Sequence, residues 1–156
     1  MRMLFLLFLM VSCQSVAKEA LVKSCQHLQS ATKATFVLFS KKELIELGKC
    51  TGVDLIKKGQ MKALELACGE VTENKASPLG IASLSMVEAI QIGQCMGVIN
   101  YIYDHYHGES VESNRNRTYQ CRRDTIEAAE ILSISESINT RDEARAKLCT
   151  KQRRGY

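Results

Sequence analysis

The chain predicts an all-α fold, a small disulfide-stapled bundle of five or six helices arranged as helical hairpins. Three observations carry that expectation: a helix-starting segment that occurs twice, six cysteines spaced along the helical part, and a near absence of strand signals. Residues 40–53 and 85–98, aligned without gaps, share Ser40/Ser85, Glu43/Glu88, Ile45/Ile90, Gly48/Gly93, Cys50/Cys95, Gly52/Gly97 and Val53/Val98. Ser followed three residues later by Glu is a capping box, which starts a helix by satisfying its orphan backbone N–H groups. The glycine two residues past each cysteine lets another backbone approach. A shorter copy begins at Thr140, with Glu143, and reaches Cys149, so the chain reads as stacked helical units.

The elements follow in order. Residues 1–17 have the form of a secretory signal peptide: Arg2, an apolar run from Met3 to Val11, and the small-residue site Ser15-Val16-Ala17. A lipoprotein signal with Cys13 as the lipidated residue is the competing reading. Residues 18–156 then form a single helical domain. A first helix over about 18–38 places Leu21, Cys25 and Leu28 on one face. The helix capped by Ser40 ends at Lys57, Lys58 and Gly59, with cations in the last turn and glycine at the stop. Met61, Leu64, Cys68 and Val71 fall on one helical stripe, and residues 72–78 form a polar break, since Pro78 and the residue before it resist helix. The helix capped by Ser85 runs to His107 and stops at Gly108. Residues 109–118 read as a polar loop, Asp124 caps a helix to about Ser137, and Thr140 starts the last one.

Six cysteines remain after the signal: Cys25, Cys50, Cys68, Cys95, Cys121 and Cys149. An even set in an exported chain argues for a disulfide framework, and none forms a C-x-x-C pair. Similar separations favour pairing within hairpins, Cys25–Cys50, Cys68–Cys95 and Cys121–Cys149, although spacing alone leaves other connectivities open. The formal net charge is +4, with basic residues scattered apart from the tail at 151–154. That pattern argues against nucleic-acid binding, which needs a concentrated basic face. No segment after the signal is long and apolar enough to be transmembrane.

Catalytic constellations are scarce. The histidines are His27, His105 and His107, and no Gly-x-Ser-x-Gly, HExxH or phosphate-binding glycine loop occurs. Asp104, His105 and His107 suggest a metal site, but residues two apart on a helix point in nearly opposite directions. Histidines in a last helical turn are also favourable charges against the helix dipole. The expectation is a non-enzyme without cofactor or metal. Tyr101, Tyr103 and Tyr106, with Arg115 and Arg117 in the loop that follows, form the candidate partner-binding surface, since tyrosine buries area and keeps a polar tip. The same rings could instead pack on the core.

From Met61 onward the chain resembles a known family. The segment Cys95-Met-Gly-Val-Ile-Asn-Tyr-Ile-Tyr-Asp104 is similar to the C-x-G-Y-I-x-G-x-x-D segment of the Rap/Tai family of type VI secretion immunity proteins. An apolar helix ending at Cys68 precedes it, and Tyr119-Gln-Cys121 and Cys149 follow in the family's order. Val98 stands where the family has Tyr, Tyr101 where it has a small residue, and no Pro follows Cys121. The resemblance, over residues 61–149, implies a periplasmic, helical, disulfide-bonded protein that binds and neutralises a protein toxin, often a peptidoglycan-cleaving amidase. A homodimer is compatible with the sequence. Other readings stay open: an exported envelope-associated structural protein, a lipoprotein anchored through Cys13, or a small envelope hydrolase.

Overall fold

The computed structural model describes residue 25 and residues 38–77, 80–112, 114–135 and 138–153. The chain divides into two units, Met1–Phe39 and Ser40–Tyr156. The signal segment, Cys13 and the helix expected over 18–38 lie outside the described residues, apart from Cys25, which is helical and half-buried.

In the second unit, Ser40 starts α1 (Lys41–Lys58) with a complete capping box: its hydroxyl accepts from the Glu43 N–H, and its own N–H reaches Glu43 Oε2 at 2.7 Å. Gly59, at φ 64°, closes α1 in the left-handed conformation that lacks of a Cβ permits. α2 (Leu64–Ala76) follows, then a 3₁₀ turn (Gly80–Ser83), and then α3 (Met86–Tyr106) from the Ser85–Glu88 box. Met61, Leu64 and Cys68 of the expected stripe are buried, and Val71 packs against the core.

The two copies of the repeat pack on each other. A Cβ built on Gly48 would fall 2.2 Å from Ile90 O, and one on Gly93 would fall 2.1 Å from Ile45 O. Further along, a Cβ on Gly52 meets Gln94 O at 2.2 Å and one on Gly97 meets Lys49 O at 2.3 Å. Ile45 and Ile90, Gly48 and Gly93, Lys49 and Gln94, and Gly52 and Gly97 occupy matching places in the two copies. Every contact therefore has a mate with the two helices exchanged, the signature of a local two-fold. Partners advance together along both helices, so α1 and α3 run parallel. Only glycine lets the backbones approach this far, within reach of Cα–H···O contacts, as in small-xxx-small helix pairs.

The rest is not purely helical. Residues 109–118, expected as loop, contain β1 (Ser110–Val111) and the start of β2 (Asn114–Cys121), and β3 (Cys149–Arg153) completes an antiparallel sheet of order β1-β2-β3. The expectation failed because the apolar/polar alternation that marks a half-buried strand is missing. Beyond Cys149, the β3 residues Thr150, Lys151, Gln152 and Arg153 are all exposed. The strands are held by pairing and by the Cys121–Cys149 disulfide, which joins two residues in register. Between them lie α4 (Thr125–Ser133), capped by Asp124, and α5 (Arg141–Leu148), capped by the Thr140–Glu143 box. α4 ends earlier than expected. The short third copy keeps its cap, but its Cys149 leaves the helix and opens a strand.

Cys68–Cys95 bridges α2 and α3 at the centre of the core, both residues fully buried. Cys25 and Cys50 are disulfide-bonded cysteines too. The within-hairpin pairing holds for Cys68–Cys95 and Cys121–Cys149, but the latter staples two strands rather than two helices. Around these bridges pack Ile56, Ile99, Ile102, Leu132, Ile138 and Leu148.

Candidate partner-binding face

α3 outruns α1 because its copy of the repeat continues, past Val98, into an aromatic turn that the sheet can cover. Tyr101 is 8% exposed, its ring stacks on His105 at 3.9 Å, and its hydroxyl oxygen accepts from Arg141 of α5. That hydrogen bond, reinforced by the nearby Tyr106, holds the Arg141 guanidinium above its ordinary pKa. His105 in turn donates from Nδ1 to Tyr101 O at 3.0 Å, one helical turn back. Tyr103 packs on the core and stacks on His107 at 4.5 Å. His107 Nδ1 accepts from the Cys121 N–H at 3.1 Å, tying the end of α3 to the end of β2.

Tyr106 meets Tyr119 of β2 edge-to-face at 6.2 Å. Arg145 of α5 lies over both rings, 5.0 Å from one centroid and 5.1 Å from the other, and pairs with Asp142 at 3.2 Å. One guanidinium thus links helix, strand and last helix through two cation–π contacts. Arg117 is exposed on β2, and Arg115 stands on the same strand with its side chain outside what is described. The structure so brings Tyr101, Tyr103 and Tyr106 to one junction, with Arg117 beyond it on the strand. The tyrosines face inward there more than outward. Asp104, His105, His107, Glu109, Arg117 and Arg141 are exposed in this neighbourhood.

Residue-level reading missed Tyr119, Arg141 and Arg145. The i,i+4 spacing of the two arginines on α5 was a usable signal, because it sets both on one helix face. Among the described residues no group of three His, Cys, Asp or Glu side chains is placed to hold a metal ion. A separate recess of about 480 Å³ opens between α1, α2, α3 and α4, floored by Ile45, Val71, Ile92 and Met96 and edged by Lys42 and Lys49. Lys49 is taken up by Glu46 at 2.6 Å. No helix among the described residues is long and apolar enough to cross a membrane.

Fold and junction together define a disulfide-pinned helical scaffold with a small sheet, built around a glycine-paired helix repeat. Comparison with protein-family models, with curated proteins and with solved structures finds no match for this chain.

Proposed function

We propose that the chain is a periplasmic binding protein of the immunity type, which captures and neutralises a toxin delivered by type VI secretion, of the peptidoglycan-amidase class. The observation that carries this reading is the covalent pinning of the helix that bears the family-like segment. Cys95 ties α3 to α2 through Cys68, and Cys121–Cys149 closes the sheet against which the same helix ends. A protein that must occlude another gains affinity from such preorganisation, because little of its own freedom is lost on binding. Disulfide chemistry fits an oxidising compartment. The order of Cys68, Cys95, Cys121 and Cys149 along the resembling segment adds to the support.

The test is protection. Cells exporting this chain to the periplasm are challenged with the effectors encoded beside it, and survival is counted. Survival restored against one effector, with a stable complex on gel filtration, is the expected result. Killing that is unchanged for every such effector overturns the proposal.

A further inference from the structure

The sheet gathers charge that is dispersed along the chain. Residues 114–123 contain four arginines and no acid, and residues 144–153 contain four Lys or Arg and no acid. Pairing of β2 with β3 lays residues 117–121 of the first segment against 149–153 of the second, with Arg117 directly opposite Arg153 and Tyr119 opposite Lys151. Outside them the acids outnumber the bases, although the chain as a whole carries +4. Arg122 is neutralised by Glu127. Arg117, Lys151 and Arg153 have no acidic partner among the described residues. Glu109 and Glu112 belong to the β1 side, across β2 from β3.

Like charges placed directly opposite on paired strands are destabilising. Lysine or arginine on an edge strand is a common guard against unwanted pairing. That guard explains Lys151 and Arg153 but not Arg117 on the central strand, which adds repulsion without shielding an edge. β3 is also an outer strand of the sheet, and Thr150 to Arg153 are exposed on both faces. Among the described residues no strand pairs with its outer backbone groups, so these and its cations face the same visitor. An extended peptide uses both features at once, hydrogen bonds along the edge and carboxylates against the cations; a nucleic acid or a lipid surface uses only the charge.

We propose that the outer edge of β3, with Arg117 beside it, is a docking strip that takes an extended acidic segment of a protein partner as a fourth strand. The inference rests on the reading of the chain as a protein-binding scaffold and names the chemistry of what it binds.

The experiment uses the full oxidised protein and fluorescence anisotropy with a labelled Glu-Thr repeat peptide. Four comparisons accompany it: the peptide N-methylated at alternate residues in either register, a Lys-Thr repeat, a single-stranded oligonucleotide, and phosphatidylglycerol vesicles. The expected result is salt-sensitive binding of the acidic peptide, lost in one of the N-methylated registers. Binding weakens at least about tenfold in the Lys151→Glu/Arg153→Glu variant, whose disulfides and circular dichroism are unchanged. Equal binding of both N-methylated peptides overturns strand addition. Preference for the oligonucleotide or the vesicles, or unaltered peptide binding by the charge-reversed variant, overturns the strip itself. Failure of every effector in the protection assay removes the immunity reading while leaving peptide capture standing, so the two can fail separately.

Discussion

Gly93→Ala puts the packing of the repeat to a quantitative test. The new methyl carbon would lie 2.1 Å from Ile45 O and 2.7 Å from Gly48 Cα, both backbone atoms that no rotamer change can move. A carbon normally stays roughly 3.3 Å or more from such an oxygen, so α1 and α3 must separate by on the order of 1 Å. Overpacking and the loss of the close Cα–H···O contacts together cost about 3 kcal/mol. Alanine returns about 1 kcal/mol through its better helix propensity, leaving a net destabilisation of about 2 kcal/mol. Gly69 supplies the control, since it lies within α2 and a Cβ there meets nothing within 4 Å. Gly69→Ala should stabilise by about 0.5–1 kcal/mol. Thermal unfolding followed at 222 nm, disulfides intact, should place Gly93→Ala roughly 6–8 °C below the parent and Gly69→Ala a few degrees above it. In Gly48→Ala/Gly93→Ala the second substitution should cost less than the first, because the helices have already parted. Equal stability of Gly93→Ala and the parent, or equal damage at Gly69, would refute the close-packed parallel pair.

Stability should also fall in acid. Glu88 accepts from the Ser85 N–H at 2.6 Å, and Glu143 accepts from the N–H groups of Asn139 and Thr140, and these bonds lower both carboxyl pKa values. A folded-state pKa below the unfolded one contributes stability that is present above the unfolded value and lost as pH falls through the folded value. Unfolding temperature should therefore drop below about pH 4.5, and Glu88→Gln should flatten that slope; an unchanged profile would discount the caps. Glu70 runs the other way, since burial and then Glu73 and Glu88 raise its pKa, so Glu70→Gln should stabilise near neutral pH in urea titrations. Replacing Cys68 and Cys95 together by serine should cost roughly 3–4 kcal/mol for a loop of 27 residues, read as a shifted denaturation midpoint. Arg145→Lys should weaken the junction by about 1 kcal/mol, since an ammonium cannot lie flat over Tyr106 and Tyr119; stability equal to the parent would remove the cation–π link.

What could be read from residue order alone was the part written in local chemistry. Ser40, Ser85, Asp124 and Thr140 each begin a helix because a cap acts within three residues. Lys57, Lys58 and Gly59 mark an end for the same local reason. The strands were illegible because their cause is not local. Arg117, Gln120, Thr150 and Gln152 have no apolar alternation, and they become strand only by pairing across a separation closed by the Cys121–Cys149 bond. The junction was half legible: the tyrosines on α3 could be picked out, but Arg145 and Tyr119 come from elements that meet them only in three dimensions. The basic strip was hidden likewise, because its two halves lie some thirty residues apart in the chain.

The places where the two-fold breaks are the places to look for function. Up to Val53 and Val98 the copies match, and their shared glycines set the spacing of α1 and α3. Beyond them the matched positions diverge: Ile56 stands where the second copy has Tyr101, and Lys58 where it has Tyr103. α1 stops at Gly59, whereas α3 continues through His105 and Tyr106 and hands its end to β2 through the His107–Cys121 hydrogen bond. The added turn and the sheet docked on it contribute Tyr101, Ile102, Val111 and Tyr119 to the core, and they bring together the tyrosines, Arg145 and the cations of β2 and β3. The symmetric half sets the spacing of α1 and α3, and the asymmetric half carries the junction and the strip proposed above to meet a partner.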